Sequence, residues 1–172
     1  MAKIKSTLDL VMERTKDMNM TDQDRKRLHE KQNAEKARMW VQRYLGRRMD
    51  ADELGEELER QAGTFPQIRS LVCTELVNHL EPSGRNTMVL SALGEIFGAD
   101  LQTIRDLMQS HRKLLKDKMP EYASEMISSL NKEGYSGSAL VPNLNGSPSW
   151  QEYLSRSRRD LRSRIVAALT GN

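Results

Sequence analysis

Residues 66–80 have the sequence PQIRSLVCTELVNHL, which carries the clearest helical pattern of the chain. Pro66 suits the first turn of a helix, where no intrahelical N–H bond is lost. Large apolar residues then recur at intervals of three and four, which predicts a helix that buries one face. Pro82 and Gly84 end the pattern. The residues on this apolar face are Ile68, Leu71, Val72, Leu76, Val77 and Leu80.

Helical patterns continue downstream of this stretch. Residues 88–97 are apolar nearly all round, so we expect them to form the central helix of the core. A stripe from Leu101 to Leu115 predicts an amphipathic helix, and Pro120 is predicted to open a further one. Helix-favouring residues dominate the composition. The sequence therefore predicts an all-α, multi-helix bundle.

Two more helices are predicted upstream. Residues 4–15 carry one apolar stripe that must pack on another element. A longer helix is predicted from Thr21 to about Gly46, and between Asp22 and Lys36 its only large apolar residue is Leu28. We call residues 22–36 the arm and expect it to project from the core. The following turns are apolar on one face and should dock on the core.

Charge divides the first third of the chain. Residues 1–48 hold 13 basic and seven acidic side chains, a balance of +6, whereas residues 49–63 hold six acidic side chains and one arginine, a balance of −5. Asp50 and Glu53 have the spacing of a capping box. We expect the acidic helix to lie near the basic arm, in the same molecule or in a second copy.

The C-terminal quarter consists of a predicted linker and a terminal helix. Residues 133–148 are rich in glycine, serine and proline, which is typical of a linker. Ser149 and Glu152 have capping-box spacing at the start of the helix that follows. Residues 149–172 carry five arginines against two carboxylates, a balance of +3 that equals the net charge of the chain. An apolar stripe shares this helix, so it is predicted to dock either on its own core or in a groove of a partner.

Signatures of catalysis are missing from the sequence. It contains no phosphate-binding loop, no nucleophile elbow and no paired Glu-x-x-His motifs. Glu75 and His79 are four residues apart, but a metal needs more ligands than this pair supplies. His111 is interpreted as a hydrogen-bonded histidine at the core boundary, His29 as solvated, and Cys73 as a buried, inert thiol. The sequence predicts no enzyme, no cofactor, no metal and no small-molecule substrate.

Two features indicate binding. Trp40 and Tyr44 lie among arginines, a combination that can stack on bases and grip phosphates, although the same aromatic residues also fit a core-facing stripe. The terminal helix combines a basic face with an apolar one. The residues predicted to bind a partner are Trp150, Leu154, Arg158, Arg159, Leu161, Arg162, Arg38 and Arg43.

One resemblance covers the first third of the chain. The opening segment Ile4–Lys16, IKSTLDLVMERTK, and then Trp40–Leu45, WVQRYL, resemble a family of small, uncharacterised bacterial proteins. The resemblance implies a bacterial cytoplasmic setting and carries over no catalytic residue. The start of the chain lacks the apolar stretch of a signal peptide, no run of apolar residues is long enough to span a membrane, and a single cysteine excludes an internal disulfide. These features also favour the cytoplasm.

The predicted organisation has four parts. They are the N-terminal helix and basic arm at 1–48, a helical core at 49–132, the linker at 133–148 and the basic amphipathic helix at 149–172. The predicted function is a non-enzymatic protein–protein interaction, as an accessory or assembly subunit that binds a protein partner or a second copy of itself. The alternative is a nucleic-acid-binding protein that uses the arginines of the arm and the terminal helix.

Overall fold

A computed structural model describes residues 21–82, 84, 86–135, 137 and 140–170. The helices are α1 (Asp22–Leu45), α2 (Ala51–Ala62), α3 (Ile68–Asn78), α4 (Thr87–Glu95), α5 (Leu101–Lys132) and α6 (Pro148–Thr170), with a 3₁₀ turn, η1, at Leu144–Gly146. Within these described ranges the protein is all-α, which confirms the predicted fold class. The helix predicted at residues 4–15 lies outside the described residues.

The central helix is α3, not α4 as the sequence predicted. Helices α1, α2, α4 and α6 all pack against α3, whereas α4 packs against α3 and α5. Val72, Leu76 and Val77 of α3 are fully buried. The prediction for α4 was wrong because apolar residues on all sides of a helix indicate that it avoids water. They do not indicate how many other helices pack against it. Helix α4 leaves Met88 and Leu90 only half-buried.

Helix α1 has the predicted division between an exposed and a buried half. Thr21 and Asp24 form a capping box at its start. Every residue from Asp22 to Gln32 is exposed, a length of about 16 Å at 1.5 Å per residue. Beyond the arm, Trp40 and Tyr44 are buried, and the Tyr44 hydroxyl donates to the Met88 carbonyl at 3.0 Å. The back half of α1 thus belongs to the core.

Helix α5 runs through Pro120, which the sequence predicted to open a separate helix. The missing N–H of Pro120 leaves one carbonyl without its intrahelical bond, four residues earlier at Lys116. Both residues are exposed, so water can satisfy that carbonyl and the ring meets no packed neighbour. The helix therefore continues for 32 residues, about 48 Å.

Helix α6 packs within its own chain. It lies antiparallel to α5, and Leu161 and Ile165 join the same buried cluster as residues of α1 and α3. Its cap is Ser147 rather than Ser149, because Ser147 Oγ accepts from the Trp150 N–H at 3.4 Å. Glu152, the predicted capping partner, instead pairs with Arg156 at 2.8 Å. The capping box was placed two residues late because Pro148 occupies the first helical position.

Candidate functional site

The apolar residues predicted to bind a partner face the chain's own core. Trp150 is buried and stacks with Tyr153 at 5.6 Å between ring centroids, while Tyr122 of α5 lies 5.1 Å from the Trp150 ring. Leu161 is buried and Leu154 is half-buried. Trp150 and Leu161 are thus covered by this chain, and only part of Leu154 remains open to a partner.

The arginines of α6 divide into two groups. Arg162 Nη2 donates to the Asn78 carbonyl at 2.8 Å, so its charge lies at the C-terminal end of α3, where the helix dipole favours a cation. Arg162 and Asn78 line a depression of about 430 Å³ at this end of α3, and Arg158 and His79 line it as well. Arg159 is exposed. Arg162 therefore has a structural role, whereas Arg158 and Arg159 are open to a ligand.

The two aromatic rings of α1 are not available for stacking on bases. Trp40 and Tyr44 are each 5% exposed, which leaves no ring face for a base to stack on. Arg38 pairs with Glu75 at 3.6 Å, and Arg43 is exposed. The core-facing interpretation of these two rings is confirmed.

A groove between α4 and α5 was not predicted from the sequence. Its volume is about 650 Å³, and its apolar floor contains Leu90, Leu101 and Met108. Two exposed arginines, Arg105 and Arg112, lie along it. Neither arginine has an ion pair with any residue in the described part of the chain. We call this feature the α4–α5 groove. The signal in the sequence was two arginines seven residues apart beside an apolar stripe.

Helix α2 carries exposed carboxylates, which are opposite in charge to the arginines of the α4–α5 groove. Asp52, Glu56 and Glu59 fall within about 60° of one another on a helical wheel, and we call them the acidic stripe. Leu54 and Leu58, on the opposite side of the helix, are buried. Glu59 pairs with Arg69 at 3.1 Å. Asp52 and Glu56 have no ion pair among the described residues, so the stripe presents uncompensated carboxylates to solvent.

His111 is more deeply buried than the sequence predicted. It is 5% exposed, and its Nδ1 lies 3.2 Å from Ser157 Oγ. Its Nε2 has no hydrogen-bond partner among the residues that the structure describes. Burial lowers the pKa of His111, and the charges of Arg158 and Arg164 lower it further. The predicted boundary histidine is therefore a core histidine that is only half satisfied.

The Ser157–His111 pair joins α5 to α6. Ser157 is 7% exposed, and Nε2 of His111 has no hydrogen-bond partner in the described residues. Both side chains line a concavity of about 620 Å³ between the two helices.

The remaining candidates are structural. Within the described residues, no group of three or more His, Cys, Asp or Glu side chains could hold a metal ion. His79 Nε2 and a carboxylate oxygen of Glu75 lie 3.7 Å apart at the core boundary. Cys73 is buried, as predicted, and burial raises the pKa of its thiol; the inertness of this cysteine stays a prediction. None of the described helices has both the length and the hydrophobicity to cross a membrane.

No family model, no curated protein and no solved structure matches this chain.

Proposed function

We propose that this protein is a non-enzymatic helical protein that associates with itself as an accessory or assembly subunit. The observation that carries the proposal is charge of opposite sign on separate exposed helices. Asp52 and Glu56 of α2 are uncompensated, and so are Arg105 and Arg112 of α5, within the described chain. Separated patches of opposite charge favour contact between copies and fix its orientation.

The arm gives independent support. Residues Asp22 to Gln32 are the capped first turns of the 24-residue helix α1, and all of them are exposed. Most of the stability of a helix in a protein comes from the packing of one face, and exposed turns gain little from it. Leu28 and Met39, eleven residues apart on one side of α1, are 42% and 48% exposed. Contact with a protein surface would bury these side chains and stabilise the arm.

The test is the molar mass of the full chain by light scattering at two salt concentrations. At about 0.01 M salt the Debye length is about 30 Å, and at about 1 M it is about 3 Å. We expect a mass well above the 19.7 kDa of one chain at low salt and a fall toward that value at high salt. A mass of one chain at every salt and protein concentration would refute self-association.

The alternative, nucleic-acid binding, uses the same arginines. It predicts that labelled RNA or DNA binds at low salt and dissociates steeply as salt rises. The buried rings of Trp40, Tyr44 and Trp150 and the acidic stripe favour a protein partner instead. Fluorescence anisotropy with single-stranded and duplex probes distinguishes the two functions, because self-association predicts no change in anisotropy.

A further inference from the structure

We infer that the α4–α5 groove receives the acidic stripe of α2 from a second copy of this chain. This inference rests on the proposed self-association and names the two surfaces that meet. It goes beyond self-association because other surfaces, including the arm, could equally bring two copies together.

The groove is basic and has an apolar floor. Arg105 and Arg112 are exposed along one side, and Met108, one turn from each, is buried between them. One carboxylate also lines the groove, that of Glu95, which accepts a hydrogen bond from the Ser91 hydroxyl. Two arginines against one glutamate leave the groove with a net positive charge.

The adjoining depression at the end of α3 adds to this charge. The two concavities share Pro82 and Gly84, so Arg158 lies on the same side of the molecule as the groove. Among the described residues that line this depression, Glu81 is the only one with a carboxylate. An acidic helix placed in the groove therefore meets a basic surface beyond its end as well.

The spacing of the charges matches between the two surfaces. Arg105 and Arg112 are seven residues apart, as are Asp52 and Glu59, so each pair spans about 10.5 Å along its helix. Glu56 lies between the two acidic ends. In this arrangement the methylene groups of the acidic side chains would lie on Leu90 and Leu101 while their carboxylates reach the guanidinium groups.

The acidic stripe is available for such a contact. Leu54 and Leu58 anchor α2 to the core of its own chain, so the opposite side of the helix points into solvent. Asp52 and Glu56 are exposed and unpaired within the described residues. Docking would pair these two carboxylates with arginines. Among the described contacts of α2, it would break only the Glu59–Arg69 ion pair.

Each chain carries one groove and one stripe on different surfaces. Two copies can therefore exchange both contacts in a closed dimer, or add head to tail in an open series. A mass that stops at two chains indicates the dimer, and a mass that grows with concentration indicates the open series. Both arrangements use the same two surfaces.

A charge swap tests the contact in the full-length protein. The groove variant is Arg105→Glu/Arg112→Glu, and the stripe variant is Asp52→Arg/Glu56→Arg. Each variant alone opposes like charges, so we expect its dissociation constant to rise at least about tenfold at low salt. An equimolar mixture opposes unlike charges again, and we expect it to recover the wild-type mass.

A matched control is Lys113→Glu/Lys132→Glu, which makes the same charge change at exposed positions outside the groove. We expect it to associate like wild type. If the variants associate as tightly as wild type, or if the mixture does not regain the wild-type mass, the contact between the groove and the acidic stripe is refuted. The proposal of self-association would still stand. A monomeric wild-type protein would instead refute the proposed function. Circular dichroism shows whether each variant keeps its helices.

Discussion

Replacing Ile165 with alanine tests whether α6 docks on the core of its own chain. Ile165 has no exposed surface and lies in the buried cluster shared with α1 and α3. The substitution removes three carbon atoms, worth about 2.4 kcal/mol at about 0.8 kcal/mol per buried methylene. The cavity left behind adds to this, within the range of about 2–5 kcal/mol measured for such truncations. We expect a loss of about 3 kcal/mol.

Urea unfolding followed by far-ultraviolet circular dichroism measures this loss. Total stabilities of domains are about 5–15 kcal/mol, so the variant should remain folded with a lower midpoint. At about 2–4 °C per kcal/mol, the melting temperature should fall by about 6–12 °C. The matched control is Val141→Ala, because Val141 is 86% exposed and its truncation should cost less than about 0.5 kcal/mol.

A loss no larger than that of the Val141 control would refute cis docking, since it would mean that Ile165 is not packed. Docking of α6 onto a second copy would give a different result at about 1 M salt, where the proposed charge-driven association is screened. The free energy of unfolding would then still depend on protein concentration, because folding would be coupled to association. Cis docking predicts that the effect of Ile165→Ala is the same at every concentration.

Three further predictions concern other buried groups. Burial lowers the pKa of His111 in the folded chain, so the unfolded chain binds more protons and stability should fall as pH drops through the ordinary histidine value of about 6.5. The free energy of unfolding of His111→Gln should lack this dependence on pH, and an unchanged slope would contradict the assignment. Tyr44→Phe removes the hydrogen bond to the Met88 carbonyl and should cost about 0.5–1.5 kcal/mol in urea unfolding, whereas no loss would show that water replaces it. Cys73 should react with a disulfide reagent only after unfolding, and rapid reaction of the native protein would argue against its burial.

Patterns of local chemistry predicted the helices well. The capping box at Asp50 was predicted because Asp50 and its partner Glu53 are three residues apart in sequence. The apolar stripe of residues 68–80 predicted helix α3 by the same logic, since the helical repeat places its members on one face. The change at Ala37 from polar to amphipathic sequence marked where α1 meets the core.

Features that depend on the surroundings were harder to predict. Whether Pro120 breaks a helix depends on whether Lys116 and Pro120 face water, which sequence alone does not show. His111 lacks a partner for Nε2 because of what α6 places against α5, a long-range relation. The α4–α5 groove was missed for the same reason. Arg105 and Arg112 form a surface only once α4 packs beside α5.

The molar mass of the full-length chain at low and high salt tests the central claim most directly. Self-association through opposite charges predicts a mass well above 19.7 kDa at about 0.01 M salt, where charges act over about 30 Å. At about 1 M salt, where they act over about 3 Å, the mass should fall toward that of one chain. A mass of 19.7 kDa under both conditions, across the protein concentrations tested, would contradict the account.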